Sequence, residues 1–292
     1  MAIAAPRLTA ATRVRMFSVA MLLGGPTPAS ADTVRLGGTG AALGTMNLLE
    51  RAYKQLDPSF ELDVVPNLGS SGGLNALASG ATQNAVTSRT LKPEEVAAGM
   101  RAIEIGRTAF VLATGKSGVQ GLTLNQIADL YAGRQTKWSD GTPVRLVLRP
   151  ASDGDTPLLA SLSPAIKEAV AVAMGREGMV TGMTDQDSAN AIERLPGGLG
   201  TSSVALLISE RRHARALAID GIEPTLANVA NGRYPFTKPR FVAVMADAPV
   251  SVMRFLAFIG SPAGQRVLAE GGVDTTRARA ITPVALTAQT AR

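Results

Sequence analysis

Residues able to do chemistry are few in this 292-residue chain. Cysteine is absent, and histidine occurs once, as His213 in Arg211-Arg212-His213-Ala214-Arg215, a positive segment that reads as solvated surface. That inventory holds no Cys nucleophile, no Ser/His/Asp set and no HExxH-type metal box. What remains is hydroxyls, glycines and arginines gathered in short stretches, of which Gly69-Ser70-Ser71-Gly72-Gly73 is the fullest. Ahead of a helix, such a stretch lets the backbone approach an anion, adds two hydroxyls, and meets the partial positive charge of the helix start. The same residues also suit a plain turn with Ser70 as a cap. Similar stretches elsewhere decide between the two.

Each of those stretches follows a strand. Phe60 to Val65 alternates apolar and polar and leads into 69–73; Leu74 to Ser79 then has helical spacing, stopped by Gly80. Thr33 to Leu36 reads as a strand, followed by a glycine-rich loop over 37–45 and a helix over 46–55. Asn84 to Thr87 leads to Ser88 and Arg89, and Val144 to Leu148 leads to Arg149-Pro150-Ala151-Ser152-Asp153-Gly154-Asp155-Thr156. In open α/β sheets ligands bind off the carboxyl ends of strands, so these four loops predict one shared anion site. Gly38, Gly40 and Gly44 lack the spacing of a dinucleotide fingerprint. Asp153 and Asp155 read either as helix caps or as carboxylates at the ligand, there accepting its proton or neutralised by Arg149 or Arg89.

Further elements position these loops. Ala109 to Thr114 is a buried strand, and Thr123-Leu124-Asn125-Gln126 is a capping box for a helix ending at Gly133. A helix follows from about Pro157, another spans Asp185 to Glu193, 198–203 reads as a loop or the start of a strand, and strands are expected near 216–219 and 241–245. Ser261-Pro262 opens a last helix, and the tail after Val273 reads as frayed.

The composition, with 30 Gly and 17 Pro, suits an α/β protein with many short loops, and the length suits two domains. Residues 1–31 read as a signal peptide. Arg7, Arg13 and Arg15 precede the apolar Met16 to Leu23, which is too short to span a bilayer, and Ala29-Ser30-Ala31 forms a cleavage site before Asp32. Its removal lowers the excess of basic over acidic residues from six to three. With no basic run and no interleaved aromatics, nucleic acid is not an expected partner.

In these residues the chain resembles the phosphate-binding proteins of bacterial ABC transporters, which are type II periplasmic binding proteins. Gly69 to Gly73, Thr87 to Glu95, Gly121 to Gly133 with Trp138, Gly198-Leu199-Gly200, Tyr234-Pro235 and Ser261 to Gln265 carry the resemblance, in family order. It implies an α/β fold of two lobes joined by crossover hinge strands near 113–115 and 234–239. Lobe I would be 32–113 plus 238–292, and lobe II 114–237. It implies a soluble periplasmic protein that captures a small oxyanion, phosphate or a related anion, for a membrane permease; presentation of the solute to a receptor kinase is the alternative. The expected ligand-binding residues are Gly40, Ala41, Ala42 and Leu43 in the first loop, Ser70 and Ser71, Ser88 and Arg89, and Arg149, Ser152, Asp155 and Thr156. Cofactor, metal and catalysis are not expected, and the protein is expected to be a monomer. The resemblance also places Ser88 where many members carry a proton-accepting aspartate, and Leu43 where they carry an aromatic.

Overall fold

The computed structural model describes residues 1–2, 32–66, 68–276 and 278, so the expected signal peptide lies outside the described residues apart from Met1 and Ala2. Strand and helix alternate from the start: β1 (Asp32–Gly38), α1 (Gly40–Tyr53), β2 (Phe60–Val64), α2 (Gly69–Ala78), β3 (Asn84–Thr87) and α3 (Pro93–Ala97). The long strand β4 (Met100–Thr114) follows. Then come β5 (Gly121–Leu122), α4 (Leu124–Ala132), β6 (Arg145–Leu148), α5 (Asp155–Ala160), α6 (Pro164–Met174), β7 (Val180–Thr181), α7 (Asp185–Arg194), β8 (Gly198–Ser203) and α8 (Val204–Ser209). The order continues with β9 (Arg215–Ala216), β10 (Ala218–Ile219), α9 (Leu226–Ala230), β11 (Thr237–Met245), α10 (Val250–Gly260) and α11 (Pro262–Glu270).

The architecture is α/β with two lobes. The main sheet runs β2-β1-β3-β11-β4-β8-β6-β7, with β9 also on β4. At one end β1 lies parallel to β2 and β3; at the other β6 lies parallel to β7 and β8. The antiparallel strand β4 joins them, pairing through Ala109 with β11 and from Phe110 onward with β8. Each end has its own core. Leu36, Met46, Phe60 and Phe255 centre one; Phe110, Ile127, Tyr131 and Ile192 centre the other.

Thr123 caps α4 as its sequence predicts, accepting from Gln126 N–H, and Gly133 ends the helix in the left-handed region. The stretches 37–45 and 69–73, read as loops, are instead helical from Gly40 and Gly69. Glycine is a poor helix former, but close packing reverses that local preference. A Cβ on Gly38, where φ is +137°, would meet Val86 O at 2.0 Å, and one on Gly73 would meet Gly38 Cα at 2.4 Å. Only bare backbones let α2 approach β1 so closely, and the burial of Leu74 and Leu77 then holds the helix. The tail expected to fray is pinned at its start, where Arg107 and Asp274 exchange two backbone hydrogen bonds.

Candidate ligand-binding cleft

A cleft of about 570 Å³ lies where the strand ends of both lobes converge. Four helices among the described residues, α1, α2, α5 and α7, begin at it. Of the expected site residues, Gly40, Ser70, Ser71, Ser88, Arg89, Arg149, Ser152 and Asp155 line it. Eight of the twelve expected residues therefore lie on its surface. The side chains of Ala41 and Ala42 are buried behind Gly40, the Ala41 N–H donating to Asp185 Oδ2 and the Ala42 N–H to Thr39 O, and Leu43 packs in a hydrophobic core. The Thr156 hydroxyl donates to the carbonyls of Arg149 and Pro150, holding its own loop rather than facing the cleft.

One side of the cleft is built from neutral donors. Neither α1 nor α2 has an acid in its first turn or a cap from its own N-cap side chain, so both starts direct partial positive charge at the cleft, that of α1 shared with the Asp185 carboxylate. Ser88 N–H donates to Ser70 Oγ at 3.1 Å, tying the β3 loop to α2. Arg89 lines the cleft, but its guanidinium is engaged by a bidentate pair with Glu95 at 2.7 and 2.8 Å and by Thr90 O at 2.9 Å, with only a long contact, 3.4 Å, to Ser71 Oγ. The Arg89 hydrogen bonds hold the Glu95 carboxyl down at about 2, and the same bonds raise the pKa of Arg89.

The other side carries charge. Arg149, almost fully buried, donates to Gly182 O at 2.7 Å and to Asp153 Oδ2 at 2.6 Å. Burial works to lower its pKa, but the carboxylates of Asp185 and Asp153 outweigh it and the net shift is upward. Asp153 Oδ1 accepts the Asp155 N–H at 2.9 Å, so Asp153 both neutralises Arg149 and fixes the start of α5. Asp153 is thus neither a free ligand contact nor a solvent-facing residue. Asp155 does not cap the helix, whose cap position is Gly154; its buried carboxylate pairs with Lys238 Nζ. Neutralisation was anticipated for Asp155, but its cation is Lys238 rather than Arg149 or Arg89.

Three residues absent from the sequence-derived set complete the cluster. Lys238 and Arg240 both come from β11. Arg240, 2% exposed, donates to Ser88 Oγ at 2.6 Å and to Ala41 O and Ser203 Oγ at 3.1 Å each. Burial depresses its pKa to about 10, against the opposing pull of Asp185 and Asp155. The third is Asp185, at the start of α7, whose Oδ2 accepts the Ala41 N–H at 3.0 Å and lies 4.0 Å from Arg149 Nη2. Burial pushes the Asp185 carboxyl above its ordinary range, with Asp155 and Asp153 adding to that and Lys238 and Arg149 opposing it. A signal for two of them lay in Thr237-Lys238-Pro239-Arg240-Phe241, which sets two cations on the same face of an otherwise apolar strand. For Asp185 the signal was a surplus acid: Thr184 and Asp187 already form the capping box of α7.

The profile of the PBP superfamily domain matches residues 25–263 of this chain. The phosphate-binding protein PstS of Bacillus subtilis is 24% identical over 234 residues, covering 73% of this chain and 71% of that protein. Among solved structures, a substrate-binding protein assigned to a phosphate ABC transporter of Clostridium perfringens, solved with bound phosphate, superposes with a TM-score of 0.70 at 23% identity, covering 84% of this chain and all of that one. An ABC-type phosphate transport receptor from Vibrio cholerae gives 0.57 at 20% identity, over 82% of this chain and 98% of the other. With most of its length matched to one domain profile and its two-lobed α/β architecture shared with these structures, the chain belongs to the PBP superfamily, in the type II form.

Proposed function

We propose that the protein is a periplasmic solute-binding protein that captures a small oxyanion, phosphate or a related anion, and delivers it to an ABC-transporter permease. The observation that carries this reading is the convergence of the acid-free starts of α1 and α2 with Ser70, Ser88 and the buried Arg149 on one cleft. Helix starts, hydroxyls and a guanidinium are the donors an oxyanion requires. The relatives named for phosphate binding agree with it. We read the site as binding rather than catalytic, because Asp153, Asp155 and Asp185 are each engaged by a cation or a backbone donor, leaving none placed as a free base.

We take the lobes as 32–113 plus 238–292 and 114–237. The change of partner along β4 near Phe110, and the arrival of β11 at Thr237, support those boundaries. The ligand would then be held by loops of both lobes, which gain contacts together only when closed. A thermal-shift screen with phosphate, arsenate, sulfate, molybdate and small carboxylates tests the reading. At a hundredfold excess over Kd a ligand adds about 2.7 kcal/mol, or several degrees in Tm at ~2–4 °C per kcal/mol. A screen in which no oxyanion raises Tm would sink it.

A further inference from the structure

The start of α1 is already served by an anion, and that anion belongs to the protein. Thr39 stands at the cap position of α1 without making a side-chain cap bond, and the first turn holds no acid. Its Ala41 N–H instead donates at 3.0 Å to the carboxylate of Asp185, 144 residues further along the chain. The same carboxylate oxygen lies 4.0 Å from Arg149 Nη2. Gly40 makes the approach possible: a Cβ there would come within 2.8 Å of Asp185 Oδ2 and 2.6 Å of Gln186 Oε1. Gln186 reinforces the contact, donating from Nε2 to Gly40 O at 3.0 Å and to Glu210 Oε1 at 2.7 Å. A helix-start N–H and a buried guanidinium are two of the three kinds of donor on which the oxyanion reading rests, and Asp185 engages one of each.

We propose that Asp185 is a built-in competitor of the ligand: its carboxylate occupies the Ala41 N–H and the field of Arg149, and an oxyanion binds by taking both from it. The inference rests on the oxyanion reading above. Asp185 thereby sets affinity, because every incoming anion must displace an intramolecular one. It also makes affinity depend on its own charge. The groups facing Asp185 are Arg149 and Asp153 from the β6 loop, Asp155 from α5, and Lys238 and Arg240 from β11. Three acids thus share the cluster, Asp153, Asp155 and Asp185. Two of them are directly paired with cations, Asp153 with Arg149 and Asp155 with Lys238, whereas Asp185 has only the 4.0 Å approach to Arg149.

Calorimetric titration of inorganic phosphate into wild type and Asp185→Asn decides the matter. Asparagine keeps the size of the side chain and removes the charge. The expected result at pH 8 is roughly tenfold tighter binding by the variant, a factor that corresponds to about 1.4 kcal/mol. As pH falls the gap between the two proteins should close, because a protonated Asp185 ceases to compete; titration of phosphate itself cancels in the ratio. Asp187→Asn removes an exposed acid from the same helical turn and should leave affinity unchanged. If Asp185→Asn does not fold, Asp185→Ser makes the same measurement. Equal or weaker phosphate binding by the Asp185 variants, with wild type still binding, overturns the proposal and leaves the oxyanion reading standing. If neither wild type nor variant binds phosphate or any of the other oxyanions, both fall.

Discussion

The two sides of the cleft solve the same problem in opposite ways. On the side formed by β1–α1, β2–α2 and the β3 loop, helix starts carry glycines and serines and no acids, so the backbone itself is the binding surface. On the side formed by the β6 loop, α5 and α7, helix starts carry Asp155 and Asp185, and cations from elsewhere in the chain oppose them. The first side draws its lining from about fifty consecutive residues of chain. The second is assembled from contacts such as Asp155 to Lys238, 83 residues apart, and is tied to the first by Arg240 to Ala41, 199 apart. A neutral surface needs only local geometry, whereas a buried charged one requires a partner for each charge, wherever the fold can supply it.

The sharpest way to break the charged side is to remove one partner. Lys238→Met leaves the Asp155 carboxylate buried without its cation. Losing one member of a buried pair costs about 3–5 kcal/mol, so urea denaturation should show a loss of that size. Adding Asp155→Asn to the same chain should recover part of it. A single variant as stable as wild type would show that Lys238 does not compensate Asp155.

The join between the two sides comes next in size. Arg240 reaches from β11 to Ser88 on the neutral side, and Ser88 in turn donates to Ser70. Ser88→Ala removes the acceptor of a buried guanidinium, and a hydrogen bond to a charged group is worth about 1.5–3 kcal/mol. The loss should appear as a lower urea midpoint with an unchanged slope. A variant that melts like wild type would make Ala41 O and Ser203 Oγ sufficient anchors for Arg240.

The same contrast explains what was legible in the sequence. Strand, small-residue stretch and helix succeed one another within a few residues on the neutral side, so period and turn chemistry located Ser70 and Ser88 after their strands, as they did Arg149 after β6 on the other side. Where Gly40 and Gly69 begin helices rather than loops, close backbone packing at Gly38 and Gly73 overrode local propensity, which no window of sequence displays. Lys238, Arg240 and Asp185 were missed for a related reason. Asp185 sits at an ordinary helix start, and Lys238 and Arg240, though paired on one strand face, likewise take their roles from partners on other elements. Arg89 is the converse case: its sequence setting is that of a ligand contact, yet Glu95, six residues away, takes a hydrogen bond from each of its terminal nitrogens.

That pair gives the smallest effect and the finest test of the contrast, because it is a charged contact at the rim of the neutral side. Arg89 holds the Glu95 carboxyl at about 2, well below its ordinary 4.5. A carboxyl depressed in the folded state binds fewer protons there than in the unfolded chain between those two values. Its contribution is therefore complete above about 4.5 and is lost as pH falls toward about 2. The Arg89 side chain is 28% exposed, so solvent screens the interaction and its worth is about 1 kcal/mol or less. Wild type should lose slightly more stability than Glu95→Gln between pH 5 and pH 2, with the two curves converging at the acid end. The fully buried Asp155–Lys238 pair, by contrast, should show its effect in the size of the stability loss at neutral pH. Parallel acid-denaturation curves for wild type and Glu95→Gln would mean that Glu95 does not restrain Arg89, and Arg89 would then return to the cleft as a ligand donor.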